Sequence, residues 1–340
     1  MQSVPQVRVS AYLAVVEFMR RSGGLSSRHV DDGLLAAIAD RNPEALVPIY
    51  LAHAFLDRSA RATGLAELGY VVGRGMRVES LGAFGRSVVR SLSLLDALGK
   101  VRAKFGLYSS AERIWWSRRG EAVSIFHAYN VETGPGSRVA RQVVLLLLRD
   151  LVRLAAGPGW QPAEVLTPTT ASDAETMRAV FPGARVRPSE FAGIVFPARF
   201  LSLPLDRSRQ AGMRGGGTDD IPFEASAPAA DFPGSIKQVI SAQMKLGRCG
   251  LERTADLVGM HPRTLQRRLA EAELEYTELL AEVRFEEALR LLYDTRIRMV
   301  DIAGELGYTD SANFTRAFRQ WTGVSPSHYR RLRQDDRVAK

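Results

Sequence analysis

The chain has 340 residues, 46% of them apolar, so it is long enough for two domains that each bury a core. Its 46 Lys and Arg residues against 37 Asp and Glu residues give a net charge of +9, which favours anionic partners. A single cysteine, Cys249, excludes an intramolecular disulfide and a zinc site built from several thiolates.

Neither the start of the chain nor its most apolar run predicts a targeting or membrane segment. Residues 1–6 contain no basic region followed by an apolar core, which a secretory signal requires. The run 143–148 ends at Arg149 and Asp150, far short of a bilayer. We therefore expect a cytoplasmic protein with no membrane partner.

The front part of the chain predicts a mixed domain of helices and strands. Apolar spacing predicts helices over residues 9–20, 30–40, 44–62, 65–74 and 139–156, with two short helices within 80–105. Alternation around 118–121 predicts a β-hairpin over 114–129. A strand at 165–168, a helix at 172–180 and two strands within 185–203 complete the order. This order predicts an α+β domain with an antiparallel sheet.

Three arginines surround a Gly-Ser turn after the first predicted helix: Arg20, Arg21 and Arg28. Guanidinium groups and turn amides can converge on a phosphate or carboxylate. Arg-rich turns of this kind resemble those that bind cyclic dinucleotides, so these residues are candidates for an anionic effector such as cyclic di-GMP. The alternative is a helix end with solvated arginines, since Gly and Arg favour helix ends for local reasons.

Residues 207–234 differ in composition from their surroundings. They are rich in Gly, Pro, Ser and Ala and contain few large apolar side chains, so they cannot bury enough surface to order themselves. We predict a regulatory domain at 1–206, a flexible linker at 207–234 and a second domain at 235–333.

Residues 251–270 predict two helices joined by a tight turn. The first stops at Gly259, where glycine suits a left-handed C-cap, and Pro262 occupies the first turn of the second. Leu265 and Leu269 face inward at helical spacing. The outward side chains are therefore those of Arg263, Gln266 and Arg267.

The same plan recurs after a long connecting helix predicted over 276–294. A short helix stops at Gly307, and a second, capped by Asp310 or Ser311, buries Phe314, Phe318 and Trp321. Small, amide and guanidinium side chains at the start of an exposed helix suit base edges in a major groove. On this helix they are Ser311, Ala312, Asn313 and Arg316.

A third helix follows the second of these units. Gly323 ends the preceding helix, Ser325 caps the next, and Pro326 lies in its first turn. Its far end carries Arg330, Arg331 and Arg333, which suit contacts to DNA phosphates. Two reading helices on one connecting helix can reach successive major grooves, about one helical turn apart.

Together these motifs resemble the DNA-binding domain of the AraC/XylS family of bacterial transcription regulators, over residues 235–333. The matching residues are 263–269, Ile302-Ala303, 306–308, 314–318 and 321–326. The resemblance implies an all-α domain with two helix-turn-helix units. Its base-facing positions fall on Arg263, Gln266, Arg267, Ser311, Ala312, Asn313 and Arg316. His261 stands where the family has a Ser or Thr N-cap, which predicts a less rigid first unit.

The element order of the front domain, with residues 81–85 and 160–162, resembles the sensory domain of AraC-family regulators of the ornithine-utilisation type. This implies a small-molecule effector, and an amino acid, sugar or fatty acid fits the resemblance as well as cyclic di-GMP. The family implies promoter DNA as partner and, more commonly, activation through contact with RNA polymerase. Paired half-sites would make a homodimer useful.

Two other classes of function are less consistent with the sequence. An enzyme is disfavoured because we find no nucleophile elbow, complete dinucleotide fingerprint, phosphate loop or His pair at metal spacing. We therefore expect no catalytic residues, no metal and no cofactor. An RNA-binding protein or helical scaffold would need exposed aromatic platforms, whereas the aromatic residues here fall mostly on inward positions.

Overall fold

The structure of the chain is a computed structural model that describes residues 2–23, 42–168, 171–206, 208–209, 223–244, 249–294 and 296–338. For 171–174 and 334–338 it describes the backbone alone. The chain divides into two compact units, one of Pro5–Pro228 and one that combines Met1–Val4 with Ala229–Lys340.

The first unit contains seven labelled helices in its described residues. They are α1 (Leu13–Arg21), α2 (Ile49–Thr63), α3 (Leu68–Gly73), α4 (Gly82–Val89), α5 (Leu94–Tyr108), α6 (Ser137–Ala156) and α7 (Ala171–Val180). Short 3-10 segments lie at Val9–Ala11, Val78–Leu81 and Ala198–Ser202. The predicted helix at 30–40 lies outside the described residues.

Two sheets accompany these helices. The smaller pairs β1 (Gln6–Arg8) with β2 (Leu46–Pro48) in antiparallel fashion. The larger has the order β3-β4-β7-β5-β6. Its strands are β3 (Glu112–Arg119), β4 (Ala122–Tyr129), β5 (Glu164–Thr167), β6 (Arg185–Pro188) and β7 (Ala192–Pro197). The predicted hairpin is therefore present as β3 and β4, with Trp116 opposite Ile125.

The predicted antiparallel arrangement holds for the pairs β3–β4, β4–β7 and β5–β7. It fails for β6, which runs parallel to β5. The reason lies in the connection, because a parallel neighbour needs a crossover and α7 lies between these two strands along the chain.

Two predicted helices begin later than their apolar spacing indicates, because a strand precedes each. Residues 9–20 open with the 3-10 turn that follows β1, and residues 44–62 open with β2. Pro48 accounts for the second case, since the residue before a proline is driven into extended conformation.

The core of the first unit is built around α6. Leu145, Leu146 and Val152 of this helix are almost completely buried. Gly69 lets α3 approach α6 closely, because a Cβ atom there would lie 2.2 Å from the carbonyl oxygen of Val139. Its amide instead donates to the Oε1 atom of Gln142, at 3.0 Å.

The second unit is all-α, as predicted. Its helices are α8 (Phe232–Met244), α9 (Leu251–Leu257), α10 (Pro262–Ala270), α11 (Tyr276–Tyr293), α12 (Met299–Glu305), α13 (Ser311–Thr322) and α14 (Pro326–Val338). Fully buried side chains from six of them fill its core, including Phe232, Leu265, Leu279, Ile302 and Phe314. In the part of the chain that the structure covers, no helix combines the length and apolarity needed to cross a bilayer.

Half of the predicted linker, residue 207 and residues 210–222, lies outside the described residues. Its last part packs on the first unit, where Phe223 is buried and its ring centroid lies 4.3 Å from the Arg8 guanidinium. The helix α8 already begins at Phe232. The boundaries 1–206, 207–234 and 235–333 stay predictions.

Candidate functional site

The first helix-turn-helix unit consists of α9 and α10. The chain reverses at Gly259, whose φ of 69° is left-handed, and the Met260 amide donates to the Ala255 carbonyl at 2.9 Å. Leu265 and Leu269 are buried beneath α10. The three predicted base-facing residues, Arg263, Gln266 and Arg267, all lie on the exposed face.

The N-cap of α10 is His261, the residue that stands where the family has Ser or Thr, and its side chain does cap the helix. The Nδ1 atom of His261 accepts a hydrogen bond from the Arg263 amide at 3.2 Å. One of the amides at the start of the helix is therefore satisfied by an imidazole in place of a hydroxyl. Whether the first helix-turn-helix unit is less rigid than the second stays a prediction.

The second helix-turn-helix unit, α12 and α13, repeats the turn of the first. Gly307 has a φ of 73°, and the Tyr308 amide donates to the Ala303 carbonyl at 2.9 Å. Asp310 caps α13 by accepting from the Asn313 amide at 2.7 Å. Phe314 and Phe318 are fully buried on the inner side of α13.

The outer side of α13 carries the other predicted base-facing residues. Ala312 and Arg316 are exposed, whereas Ser311 and Asn313 are half-buried. The Nδ2 atom of Asn313 donates to Asp310 at 2.8 Å, and its Oδ1 atom accepts a short hydrogen bond from Arg316. These contacts hold the amide and the guanidinium in one geometry before any partner binds.

The connecting helix α11 holds the second helix-turn-helix unit through two residues, Arg284 and Phe285. The Nε atom of Arg284 donates to the Leu306 carbonyl at 3.0 Å, and its guanidinium lies 4.7 Å from the Tyr308 ring centroid. The ring of Phe285 packs against Trp321, with centroids 5.6 Å apart. The Arg284 contacts hold the turn before α13, and the Phe285 contact holds the last turn of α13, against the same connecting helix.

Not every arginine of the C-terminal compact unit is available to DNA. Arg268 turns inward, where its guanidinium lies 3.9 Å from the Phe232 ring centroid and donates to the Gln2 carbonyl at 2.7 Å. Arg330 donates to the Ile297 carbonyl at 2.8 Å, and burial lowers its pKa. The expected phosphate contact from Arg330 is therefore replaced by a structural role, whereas Arg331 is exposed.

The predicted anion site is described in part. Arg20 and Arg21 are exposed at the end of α1, and both pair with Glu17, at 2.9 and 2.8 Å. Hydrogen bonds from these two arginines lower the pKa of Glu17 to about 2. Arg28 lies outside the described residues, so the three-arginine site stays a prediction.

A separate cavity, which sequence reasoning missed, lies in the first unit. It has a volume of about 80 Å³ and is bounded by the 3-10 segment Val78–Leu81, by the strand β3 and by α1, α2, α4, α5 and α6. Its described walls are aliphatic or aromatic except for Glu112 and the hydroxyls of Tyr12 and Tyr108.

Glu112 belongs to a buried cross-strand pair. Its Oε1 atom lies 3.0 Å from the Nε2 atom of His127. Because Glu112 lies opposite Tyr129, His127 is its diagonal neighbour on the same face of the hairpin. The hairpin register was therefore the sequence signal that could have identified the pair. In the described residues, no group of three His, Cys, Asp or Glu side chains could hold a metal ion.

In comparisons with known proteins, one family model matches within each of the two compact units. The family model "Helix-turn-helix domain" matches residues 254–332, and "Arabinose-binding domain of AraC transcription regulator, N-term" matches residues 33–205, just over half of the chain. The chain is 27% identical over 284 residues to the Ornithine utilization regulator of Pseudomonas aeruginosa, which covers 81% of this chain and 82% of that protein.

Two further relatives match at different scales. The HTH-type transcriptional regulator VirS of Mycobacterium tuberculosis is 40% identical over 84 residues, 25% of each chain. The solved structure of the transcriptional regulator CdpR from Pseudomonas aeruginosa covers 95% of this chain and 98% of its own, at 19% identity and a TM-score of 0.45.

Proposed function

Because the chain belongs to the AraC family of transcription regulators, with a helix-turn-helix DNA-binding domain and an N-terminal ligand-binding domain, we propose that α10 and α13 read bases in successive major grooves. The observation that carries the proposal is the repeated geometry. Each of these helices follows a left-handed glycine turn, buries one apolar side and exposes a polar and basic one.

The connecting helix supports a fixed spacing between the two reading helices. Its 18 residues span about 27 Å at the rise of an α-helix. Successive major grooves on one side of the duplex recur every 34–36 Å, roughly. A helix of this length between two units suits half-sites that lie about one turn apart.

In vitro selection with the full chain and a pool of random DNA duplexes tests the proposal. We expect a consensus of two half-sites about 10 base pairs apart. Arg316→Ala should relax the base preference in one half-site and cost about 1–3 kcal/mol at the selected sequence. Unchanged preference would remove α13 as a reader. Preference for competitor RNA would favour an RNA-binding protein instead.

The finer functional predictions belong to the same proposal. We expect an activator that contacts RNA polymerase from promoter DNA in the cytoplasm, and a homodimer on paired half-sites. A reporter assay on the selected sequence tests the sign of regulation, and sedimentation tests the oligomeric state.

The effector is open among several chemical classes. The name of the Pseudomonas aeruginosa relative suggests ornithine, and the name of the matched N-terminal domain suggests a sugar. A fatty acid, or cyclic di-GMP at Arg20, Arg21 and Arg28, is a further candidate. Calorimetric titration of the full chain with each compound, repeated on a variant with Arg21→Ala and Arg28→Ala, tests the arginine site.

A further inference from the structure

The apolar cavity of the first unit has one polar corner. Of the described residues that line it, only Glu112, Tyr12 and Tyr108 carry polar side-chain atoms, and Glu112 is the only one with a formal charge. Its volume of about 80 Å³ is several times the roughly 10–15 Å³ that a single water needs. The cavity can therefore accept a small organic molecule.

The charge of Glu112 decides which head group the corner accepts. Burial raises the pKa of this carboxyl, but hydrogen bonds from His127 and Ser109 are among the contacts that outweigh that effect, so the pKa lies below its ordinary value. The group is thus a carboxylate in an apolar wall. It accepts hydrogen bonds and repels anions.

The two tyrosines add a second property to the corner. Burial raises the pKa of Tyr12 and Tyr108, and the nearby charge of Glu112 contributes to both shifts. The hydroxyls therefore stay protonated, and that of Tyr108 already accepts a hydrogen bond from the Ser10 hydroxyl at 3.2 Å, so each tyrosine keeps its proton as a possible donor. The rest of the wall, including Phe84, Phe105 and Leu147, offers apolar contact alone.

We propose that this cavity is the effector site and that it takes a small molecule with an apolar body and one hydrogen-bond donor, a primary amine or a hydroxyl, that binds Glu112. That the ligand acts as an effector rests on the proposed function of the protein as a transcription regulator. The binding chemistry itself depends only on the cavity.

This corner disfavours the effectors that the family resemblance suggests. A sugar would bury several hydroxyls against Phe84, Phe105 and Leu147, where they find no partners. A fatty acid or the carboxylate of ornithine would meet Glu112 without a lining cation among the described residues. A cyclic dinucleotide is anionic and would likewise meet the Glu112 carboxylate.

Head-group selectivity on the unaltered full chain is the primary test. Ligand-observed NMR would measure the binding of n-pentylamine, 1-pentanol and pentanoate, which share one apolar body. We expect the amine and the alcohol to bind at least about tenfold more tightly than pentanoate, because only they can donate to a carboxylate. Equal binding of pentanoate, or no binding of amine and alcohol at millimolar concentrations, overturns the proposal.

Two variants locate the site. Glu112→Gln keeps the shape but removes the charge, so the preference for the amine over pentanoate should fall about tenfold or more. Val144→Phe fills the cavity from its half-buried wall and should abolish binding, whereas Val71→Phe, an equal change on an exposed position outside the cavity, should not. Binding that survives Val144→Phe with its selectivity intact places the ligand elsewhere.

The two proposals fail separately. DNA selection on the same preparation reports on the reading helices, and pentylamine binding reports on the cavity. Selective ligand binding without any DNA sequence preference would refute the proposed function, but the cavity would still be a ligand site. DNA preference without head-group selectivity would refute the site alone.

Discussion

The second unit has two pairs of adjacent arginines in which one member is exposed to solvent and the other packs against the protein. Arg267 and Arg331 are exposed, while their neighbours Arg268 and Arg330 donate to backbone carbonyls. Helical geometry is the cause, because successive residues point about 100° apart on an α-helix. In each of these two pairs, one arginine is thus a candidate for DNA contact and the other for stability.

Alanine substitutions should separate these roles. We expect Arg268→Ala and Arg330→Ala to lower the free energy of unfolding by about 1–3 kcal/mol, since each loses a charged hydrogen bond to a carbonyl. Arg267→Ala and Arg331→Ala should leave the denaturation midpoint unchanged and weaken DNA binding. Chemical denaturation and fluorescence anisotropy on all four variants test this. A stability loss at Arg331 equal to that at Arg330 would contradict the assignment.

A buried histidine makes the first unit sensitive to mild acid. Burial lowers the pKa of His53 to about 4, and the charges of His127 and Arg141 add to this effect against the opposing charge of Glu112. In the unfolded chain the imidazole titrates near 6.5. Well above pH 6.5, from about pH 7.5 upward, both states are neutral, so His53 gives no pH dependence there.

Between pH 6.5 and 4 the unfolded chain takes up the proton first, so stability falls as the pH falls. The loss from this group is at most about 3 kcal/mol. Calorimetry across this range should show the unfolding temperature of the first unit decreasing, and His53→Gln should flatten the curve. His328→Gln, on an exposed position, is the matched control. An equally steep curve in His53→Gln would exclude His53 as the cause.

At the scale of elements, local signals predict the parts of the fold that local chemistry determines. The glycine turns at Gly259 and Gly307, the cap at Asp310 and the hairpin register follow from neighbouring residues. The strand β6 was predicted but its parallel direction was not, because that direction depends on where α7 packs. The Glu112 corner needs α5, α6 and β3 together, so no single segment predicts it.

One long-range contact joins the end of the first unit to the cavity wall. Arg209 donates to Glu79 at 2.6 Å and to Asp150 at 2.8 Å. Glu79 belongs to the 3-10 segment Val78–Leu81, and Asp150 lies on α6 between two residues that line the cavity. Asp150 also accepts from the Val78 amide at 2.8 Å. The contact spans 130 residues of sequence, so no spacing rule could predict it.

Removal of the Arg209 guanidinium should lower the stability of the first unit around Glu79 and Asp150. We expect Arg209→Ala to lower the free energy of unfolding of the first unit by about 1–3 kcal/mol, because two largely buried carboxylates lose charged hydrogen bonds. Arg61→Ala, which removes a pair between the exposed Arg61 and the half-buried Asp57 one helical turn away, should cost less than about 0.5 kcal/mol. Denaturation followed by Trp fluorescence measures both. Equal effects would mean that the Arg209 contacts contribute no more than a surface pair.

At the scale of the whole molecule, net charge does not locate the DNA surface. The chain carries +9, but residues 233–340 hold 18 basic and 15 acidic residues, so most of the excess lies in the front part. Several of the acidic residues pair with arginines away from the reading helices, as Glu287 does with Arg290 and Asp301 with Arg298. DNA affinity must therefore come from a few placed arginines and not from a general basic field.

The salt dependence of binding counts those arginines. Each phosphate contact adds about 0.9 to the slope of log affinity against log salt concentration. If Arg331 contacts a phosphate, Arg331→Ala should reduce the slope of the full chain by about that amount while leaving base preference intact. Arg268→Ala, one residue from a predicted reader but packed on Phe232, should leave the slope unchanged. Anisotropy titrations from about 50 to 200 mM salt on the selected duplex measure both slopes. An equal reduction in the two variants would mean that binding senses total charge rather than position, and the assignment of Arg331 as a phosphate contact would then be wrong.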